Sequence, residues 1–183
     1  MRAQTSALLL ASALALAATG GAPAARAQQA HALSRQDRTF AEHAMAGGMM
    51  EVQLGRLAQD HAGSQPVRAF GERMVRDHKA NIHQLTAVAE PLGITPPSPL
   101  PAEQQHQIDK LSALYGPQFD NTYMAMMVQD HQNDIRDYHK EVQNGKNSGL
   151  RHYAEQTLPM LQRHLALAED LARPQGAALP PNH

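Results

Sequence analysis

Four side chains able to ligate a metal recur at positions where a helical protein buries apolar residues: Glu51, His78, His131 and His164. A neutral imidazole offers one nitrogen lone pair and a carboxylate offers oxygen. Three histidines with one glutamate therefore suit Zn²⁺, Fe²⁺ or Cu²⁺ in tetrahedral or more open geometry. A methionine stands four residues before each histidine, at Met74, Met127 and Met160, one turn away on the same helix face. Thioether sulfur there would favour Cu(I), although methionine at helical spacing more often fills gaps in a core. Asp77 and Asp130 directly precede two of the histidines. They point about 100° round the helix from them, toward a neighbour or solvent, where they could orient an imidazole on another helix.

The two central motifs are versions of one another. Met74-Val75-Arg76-Asp77-His78-Lys79-Ala80-Asn81-Ile82 matches Met127-Val128-Gln129-Asp130-His131-Gln132-Asn133-Asp134-Ile135 at five of nine positions, and Met160-Leu161-Gln162-Arg163-His164 is a fainter echo. Metal ligation is one use of such a set. The other is a buried hydrogen-bonded network of the same four residues without metal. Leaving them unpaired in a core would cost about 1–3 kcal/mol each. A third reading, a ferritin-type metal oxidase, needs paired Glu-x-x-His motifs on the bundle helices. The chain has that spacing once, at Glu103 and His106, in a connecting segment where it reads as coincidence. Binding is thus favoured over redox catalysis, and no reaction is assigned.

The elements that must position these residues follow from an apolar period of 3.6. A first helix over residues 35–62 starts behind the cap Ser34 and carries Phe40, Ala44, Gly47, Glu51, Leu54 and Ala58 on one stripe. A second starts at Ser64 with Pro66 in its first turn and carries Phe70, Met74, His78, Ile82, Leu85 and Val88, ending near Pro91 and Gly93. A third follows Gly116-Pro117, with Tyr123, Met127, His131, Ile135, Tyr138 and Val142. A fourth, from Asn147 or Ser148 to before Pro174, carries Leu150, Ala154, Thr157, Leu161, His164, Ala168 and Leu171. Short turns at Gly63 and at 144–147 make helices one and two, and three and four, antiparallel neighbours. Residues 92–116 form a long connector with a short helix expected over 102–115, a length that permits a ferritin-like crossover as well as a simple up-down path. Gly47-Gly48 sacrifices helix propensity, as a close helix approach would require.

Height along the bundle can be counted from the turns. Glu51 and His78 lie about 18 and 22 Å of helix from the first turn, and His131 and His164 are similarly matched about the second. All four fall near mid-helix, so they can share one layer.

Composition narrows the function classes. The chain has no Cys, which removes disulfides, thiolate metal sites and cysteine nucleophiles. Four Tyr, three Phe and no Trp argue against an aromatic-cored β-sandwich. A net charge of −1 offers no field for a phosphate backbone, so nucleic acid is not an expected partner. Residues 1–27 read as a signal peptide: Arg2, the apolar run 7–18, then Ala25-Arg26-Ala27 as the cleavage site. Removing Arg2 and Arg26 moves the net charge from −1 to −3. No transmembrane segment follows, so a periplasmic or secreted protein is expected after cleavage near Ala27. The expected organisation is a signal peptide at 1–27, a flexible lead at 28–34, an all-α four-helix bundle at 35–172, and a mobile tail at 173–183.

The set Phe40…Glu51-x-x-Leu54-Gly55, Val67-x-x-Phe70…Met74-Val75-x-Asp77-His78, Phe119-Asp120-x-x-Tyr123…Met127-Val128…His131 and Thr157-Leu158-Pro159-x-Leu161-x-x-His164-Leu165 resembles an exported bacterial family. That family is the domain of unknown function numbered 4142. The resemblance spans residues 35–172 and implies a ferritin-like four-helix bundle in the cell envelope, with no established activity. The family is often labelled an outer-membrane protein, yet the alternating strands of a membrane barrel are not visible in this sequence.

Overall fold

The computed structural model describes residues 33–173. The expected signal peptide, all but the end of the lead, and all but the first residue of the tail lie outside the described residues. Five helices follow one another: α1 (Arg35–His61), α2 (Gln65–Ala89), α3 (Ala102–Ser112), α4 (Gly116–Asn144) and α5 (Ser148–Ala172). A 3-10 turn, Glu90–Leu92, extends the end of α2.

Each start has a chemical cause. Ser34 Oγ accepts from Asp37 N at 3.1 Å while the Asp37 carboxylate accepts from Ser34 N at 3.3 Å, a reciprocal capping box. Ser64 Oγ accepts from Val67 N, with Pro66 placed where its missing N–H costs nothing. Asn147 Oδ1 accepts from Leu150 N at 3.0 Å and settles the start of α5. The connector helix stops at Ser112, three residues short of the expected end. Tyr115 is extended, and Gly116 at φ 59° turns the chain into α4.

The topology is the crossover. Ala62 at the end of α1 bridges to Gly116 at the start of α4. The N–H groups of Gly63 and Ser64 both donate to the Asp120 carboxylate at 2.9 Å. At the opposite end, Lys146 N and Asn147 N donate to Asp37 Oδ1 at 2.7 and 3.2 Å, which holds the α4–α5 turn against the start of α1. The connector must therefore climb the whole bundle, about 40 Å at 1.5 Å per helical residue, with α3 lying along α1. The helices form a square in which α1 touches α2 and α4, and α5 touches the same two. Every adjacent pair is antiparallel.

α1 is buried on more sides than one stripe, because α2, α4 and α3 all pack on it. That is why Ala41, Met45 and Gly48 are buried while the expected Ala44 and Gly47 are only half-buried. The two adjacent glycines serve different ends. A Cβ on Gly48 would meet Ile82 at 3.1 Å, whereas one on Gly47 would meet nothing within 4 Å. The closest helix approach is elsewhere, at Gly55 and Gly71, where a Cβ on either would stand 2.7 Å from the other's carbonyl oxygen.

The core has two apolar clusters. One gathers Leu54, Phe70, Met74, Phe119, Tyr123 and Met127; the other gathers Phe40, Met45, Leu85, Tyr138, Leu150 and Leu161. On α2, α4 and α5 the boundary between them falls at His78, His131 and His164, and on α1 it falls between Met45 and Ala46, within two turns of Glu51. No strand occurs among the described residues, and no helix there is long and apolar enough to cross a membrane.

Candidate metal centre

The four polar residues, one from each bundle helix, meet in one layer. Glu51, His78, His131 and His164 are all 2% exposed or less. Ring centroids are 5.8 Å apart for His78–His131, 5.4 Å for His78–His164 and 5.3 Å for His131–His164. One ring nitrogen of each histidine lies within 4.8 Å of the others, and no further set of three His, Asp or Glu converges so closely among the described residues.

The outward nitrogens of His131 and His164 are both met by hydrogen-bond acceptors. His131 Nδ1 lies 2.9 Å from the Met127 carbonyl oxygen and 3.4 Å from Glu51 Oε1. His164 Nε2 lies 2.9 Å from Asp77 Oδ2, a carboxylate that Arg76 pairs on the solvent side at 2.8 Å. His78 Nδ1 lies 2.9 Å from Glu51 Oε2, but neither Glu51 oxygen is aligned as a hydrogen-bond acceptor. His78 Nε2 is buried with no partner.

A proton count follows for two of the rings. His131 Nε2 faces His164 Nδ1 at 3.3 Å. Three contacts now each need a hydrogen: His131 to the Met127 carbonyl, His164 to Asp77, and the contact between the rings. Two neutral imidazoles carry two N–H groups between them. If the carbonyl and the carboxylate take both, two lone pairs face each other inside the core.

A third proton is disfavoured there. Burial pushes the His131 imidazole down from its ordinary value. Burial likewise lowers His164, the Asp77 hydrogen bond only partly offsets this, and the net value is about 4. Burial alone would raise Glu51, but attraction to His78 and His131 more than reverses it and holds the carboxyl at about 2.

The family model of a domain of unknown function, DUF4142, matches residues 22–171. The chain belongs to the DUF4142 family. No curated protein matches it. Among solved structures, a DUF305 fragment from Deinococcus radiodurans is similar at 15% identity and a TM-score of 0.66, over 76% of this chain and 97% of that one. A DUF305 protein from Streptomyces coelicolor, described by inference as secreted, is similar at 15% identity and a TM-score of 0.63, over 74% and 89%. At this identity the likeness is one of fold.

Within this DUF4142 chain the remaining expected site residues separate. Asp77 reaches across from α2 to His164 on α5. Asp130 makes no hydrogen bond to an imidazole. Its Oδ2 is buried without a partner, and burial together with the Glu51 charge raises the carboxyl to about 7. Met74 and Met127 are fully buried in one apolar cluster, and Met160 is half-buried beside the other. Glu51 is not among the converging ligand set; it faces the Nδ1 atoms of His78 and His131.

Sequence reasoning missed a second polar stratum beneath the histidines. Asn81 Nδ2 donates to Thr157 Oγ1 at 2.9 Å, the Tyr153 hydroxyl donates to Asn81 Oδ1, and Tyr138 and Tyr153 share a hydroxyl contact of 3.2 Å. Asn81 stands three residues after His78, one helical turn further on, and that spacing was the available signal.

Proposed function

We propose that this protein binds one divalent transition-metal ion through His78, His131 and His164, and that it holds the ion as an exported binding protein. Glu51 and Asp77 act in this reading as carboxylates that fix ring orientation, with Glu51 beside the ligands rather than among them. Met74, Met127 and Met160 fill the core. The observation that carries the reading is the 3.3 Å approach of His131 Nε2 and His164 Nδ1, both of whose outward nitrogens face acceptors. Metal–nitrogen bonds of 2.0–2.1 Å in a tetrahedral site place neighbouring ligand nitrogens about 3.3–3.4 Å apart. An ion between them removes the missing-proton problem, which a metal-free network does not.

The donor set suits zinc, iron or copper, and three nitrogens leave an open position. Oxidase chemistry has less support, because the paired Glu-x-x-His motifs of di-iron bundles are not on these helices. Export is supported by the sequence of residues 1–27 and by the described secretion of a structural neighbour.

Element analysis of untagged protein, with melting curves before and after EDTA, tests the reading. Unfolding entropy near 2.1 cal/mol/K per residue gives about 0.3 kcal/mol/K for a domain of about 140 residues. An ion at a hundredfold excess over its Kd adds about 2.7 kcal/mol, or about 9 °C. EDTA should remove that increment, one first-row ion should restore it, and His164→Ala should respond to neither. A wild-type melting curve indifferent to EDTA and to every such ion, with no metal on purification, would leave the hydrogen-bonded network.

A further inference from the structure

We propose that the ion reaches the histidines through the cleft between α1, α4 and the connector, where it is attracted as a hydrated divalent cation and passed inward by Glu51. This rests on the metal reading above and adds its route. The cleft is about 610 Å³ and is lined by acidic side chains from three elements: Glu42 and Glu51 from α1, Glu103 from α3, and Asp130, Asp134 and Asp137 from α4, with burial raising Asp130 to about 7 and Asp134 well above its ordinary value. Among the described residues no lysine or arginine lines it, and His43 is the only basic side chain there. A narrow channel with charges of one sign raises the local concentration of the opposite ion.

The buried oxygens point the same way. Both oxygens of Glu51, Asp130 Oδ2, Gln104 Oε1 and Gln107 Oε1 are buried without a hydrogen-bond partner, and all four residues line this cleft. Glu51 itself is 1% exposed. Unpaired buried acceptors from three elements on one wall are what a passing cation would satisfy. No three of the carboxylates converge within 4.8 Å among the described residues. They therefore suit an ion in transit that keeps its water better than a resident ion stripped by chelation.

Glu51 connects the two regions, since it lines the cleft and also touches His78 Nδ1 at 2.9 Å and His131 Nδ1 at 3.4 Å. Gly47 is part of the same wall, and its missing side chain leaves the space open.

Stopped-flow mixing of the EDTA-stripped protein with Co²⁺ chloride reads loading directly, through the visible bands that imidazole ligation gives the ion. Three exposed mouth positions are neutralised together, as Glu42→Gln, Glu103→Gln and Asp137→Asn. The control neutralises Glu72 and Glu155, exposed on α2 and α5, to Gln. Wild type and control should load alike. The mouth variant should load about tenfold more slowly at low salt with the same final spectrum, and 0.5 M NaCl should erase the difference. Gly47→Leu, which fills the cleft without charge change, should slow loading at every salt concentration. Wild type that loads no faster than both cleft variants would overturn the route and leave the metal site standing. Wild type that gives no Co²⁺ spectrum would overturn the site and the route together.

Discussion

Gly71→Ala is the smallest change that should loosen the layer from a distance. A Cβ at position 71 would stand 2.6 Å from Ala58 Cβ and 2.7 Å from the Gly55 carbonyl oxygen. Carbon atoms pack at about 3.5–4.0 Å, so α1 and α2 must part by roughly 1 Å. Neither obstructing atom belongs to a side chain with a rotamer to escape into. Overpacking of this kind costs about 1–3 kcal/mol, against a helix-propensity gain of about 1 kcal/mol for Gly→Ala. Taking the upper part of the range leaves a net loss of about 2 kcal/mol, or about 7 °C in Tm for a domain this size. Gly47→Ala is the matched control, because its Cβ meets nothing within 4 Å. It should gain up to about 1 kcal/mol, or about 3 °C. Gly71 lies two turns before His78, and parting the helices lengthens the 2.9 Å Glu51–His78 contact. Ion affinity should fall about tenfold, as when a carboxylate orienting a ligand is removed. Thermal melts and metal titrations of both variants decide it. A Gly71→Ala protein as stable as Gly47→Ala would refute the close crossing and the positioning role assigned to it.

Asp77→Ala removes the acceptor on His164 Nε2 from a partly exposed position, and metal affinity should drop 10–100-fold with little change in metal-free stability; equal affinities in a competition titration would contradict the orienting role. Asn81→Leu leaves Thr157 and Tyr153 without their shared partner and should cost about 2–3 kcal/mol in urea denaturation. Glu141 is fully buried, and burial followed by its hydrogen bond with the Asp37 side chain raises its carboxyl from 4.5 to about 7. The folded chain then holds a proton that the unfolded chain has lost between pH 4.5 and 7, so stability falls as pH rises through that window, by up to about 3 kcal/mol. Glu141→Gln should therefore be the more stable protein at pH 8.5 and nearly equal to wild type at pH 4.5; a constant difference at both pH values would place the effect in packing.

What could be read from residues alone was whatever depends on distance along a helix. Glu51, His78, His131 and His164 share a layer because each lies a countable number of residues from a turn, and helical rise is uniform. The caps Ser34 and Ser64 are local for the same reason. The direction of the connector was not legible, since a layer at mid-helix forms whichever way the third helix runs. It is decided by contacts far apart in sequence, such as the Asp37 carboxylate receiving two N–H groups from the turn at 145–147. Gly55 and Gly71 were invisible for a related reason, because a glycine's value at a crossing exists only when the other helix is present. The same holds for the cleft, which α3 completes by lying along α1.

Charge gives a further reason to prefer an ion over a closed network. Arg76 answers Asp77 at the surface, but Glu51 is buried with only imidazoles beside it. A buried carboxylate needs compensating charge, or the bundle loses several kcal/mol. Protonating His78 would supply one positive charge and form an ion pair with Glu51. That proton does not help His131 and His164, whose facing nitrogens remain one hydrogen short. Protonating either of those supplies the missing hydrogen, but burial opposes it at both rings. Two deficits thus sit within one layer, one of charge and one of donors. Two added protons would have to meet them separately, and burial opposes the one that His131 or His164 would take. A single divalent cation bound by the three inward nitrogens meets both, because it accepts the lone pairs and balances Glu51 while the outward N–H groups keep their acceptors.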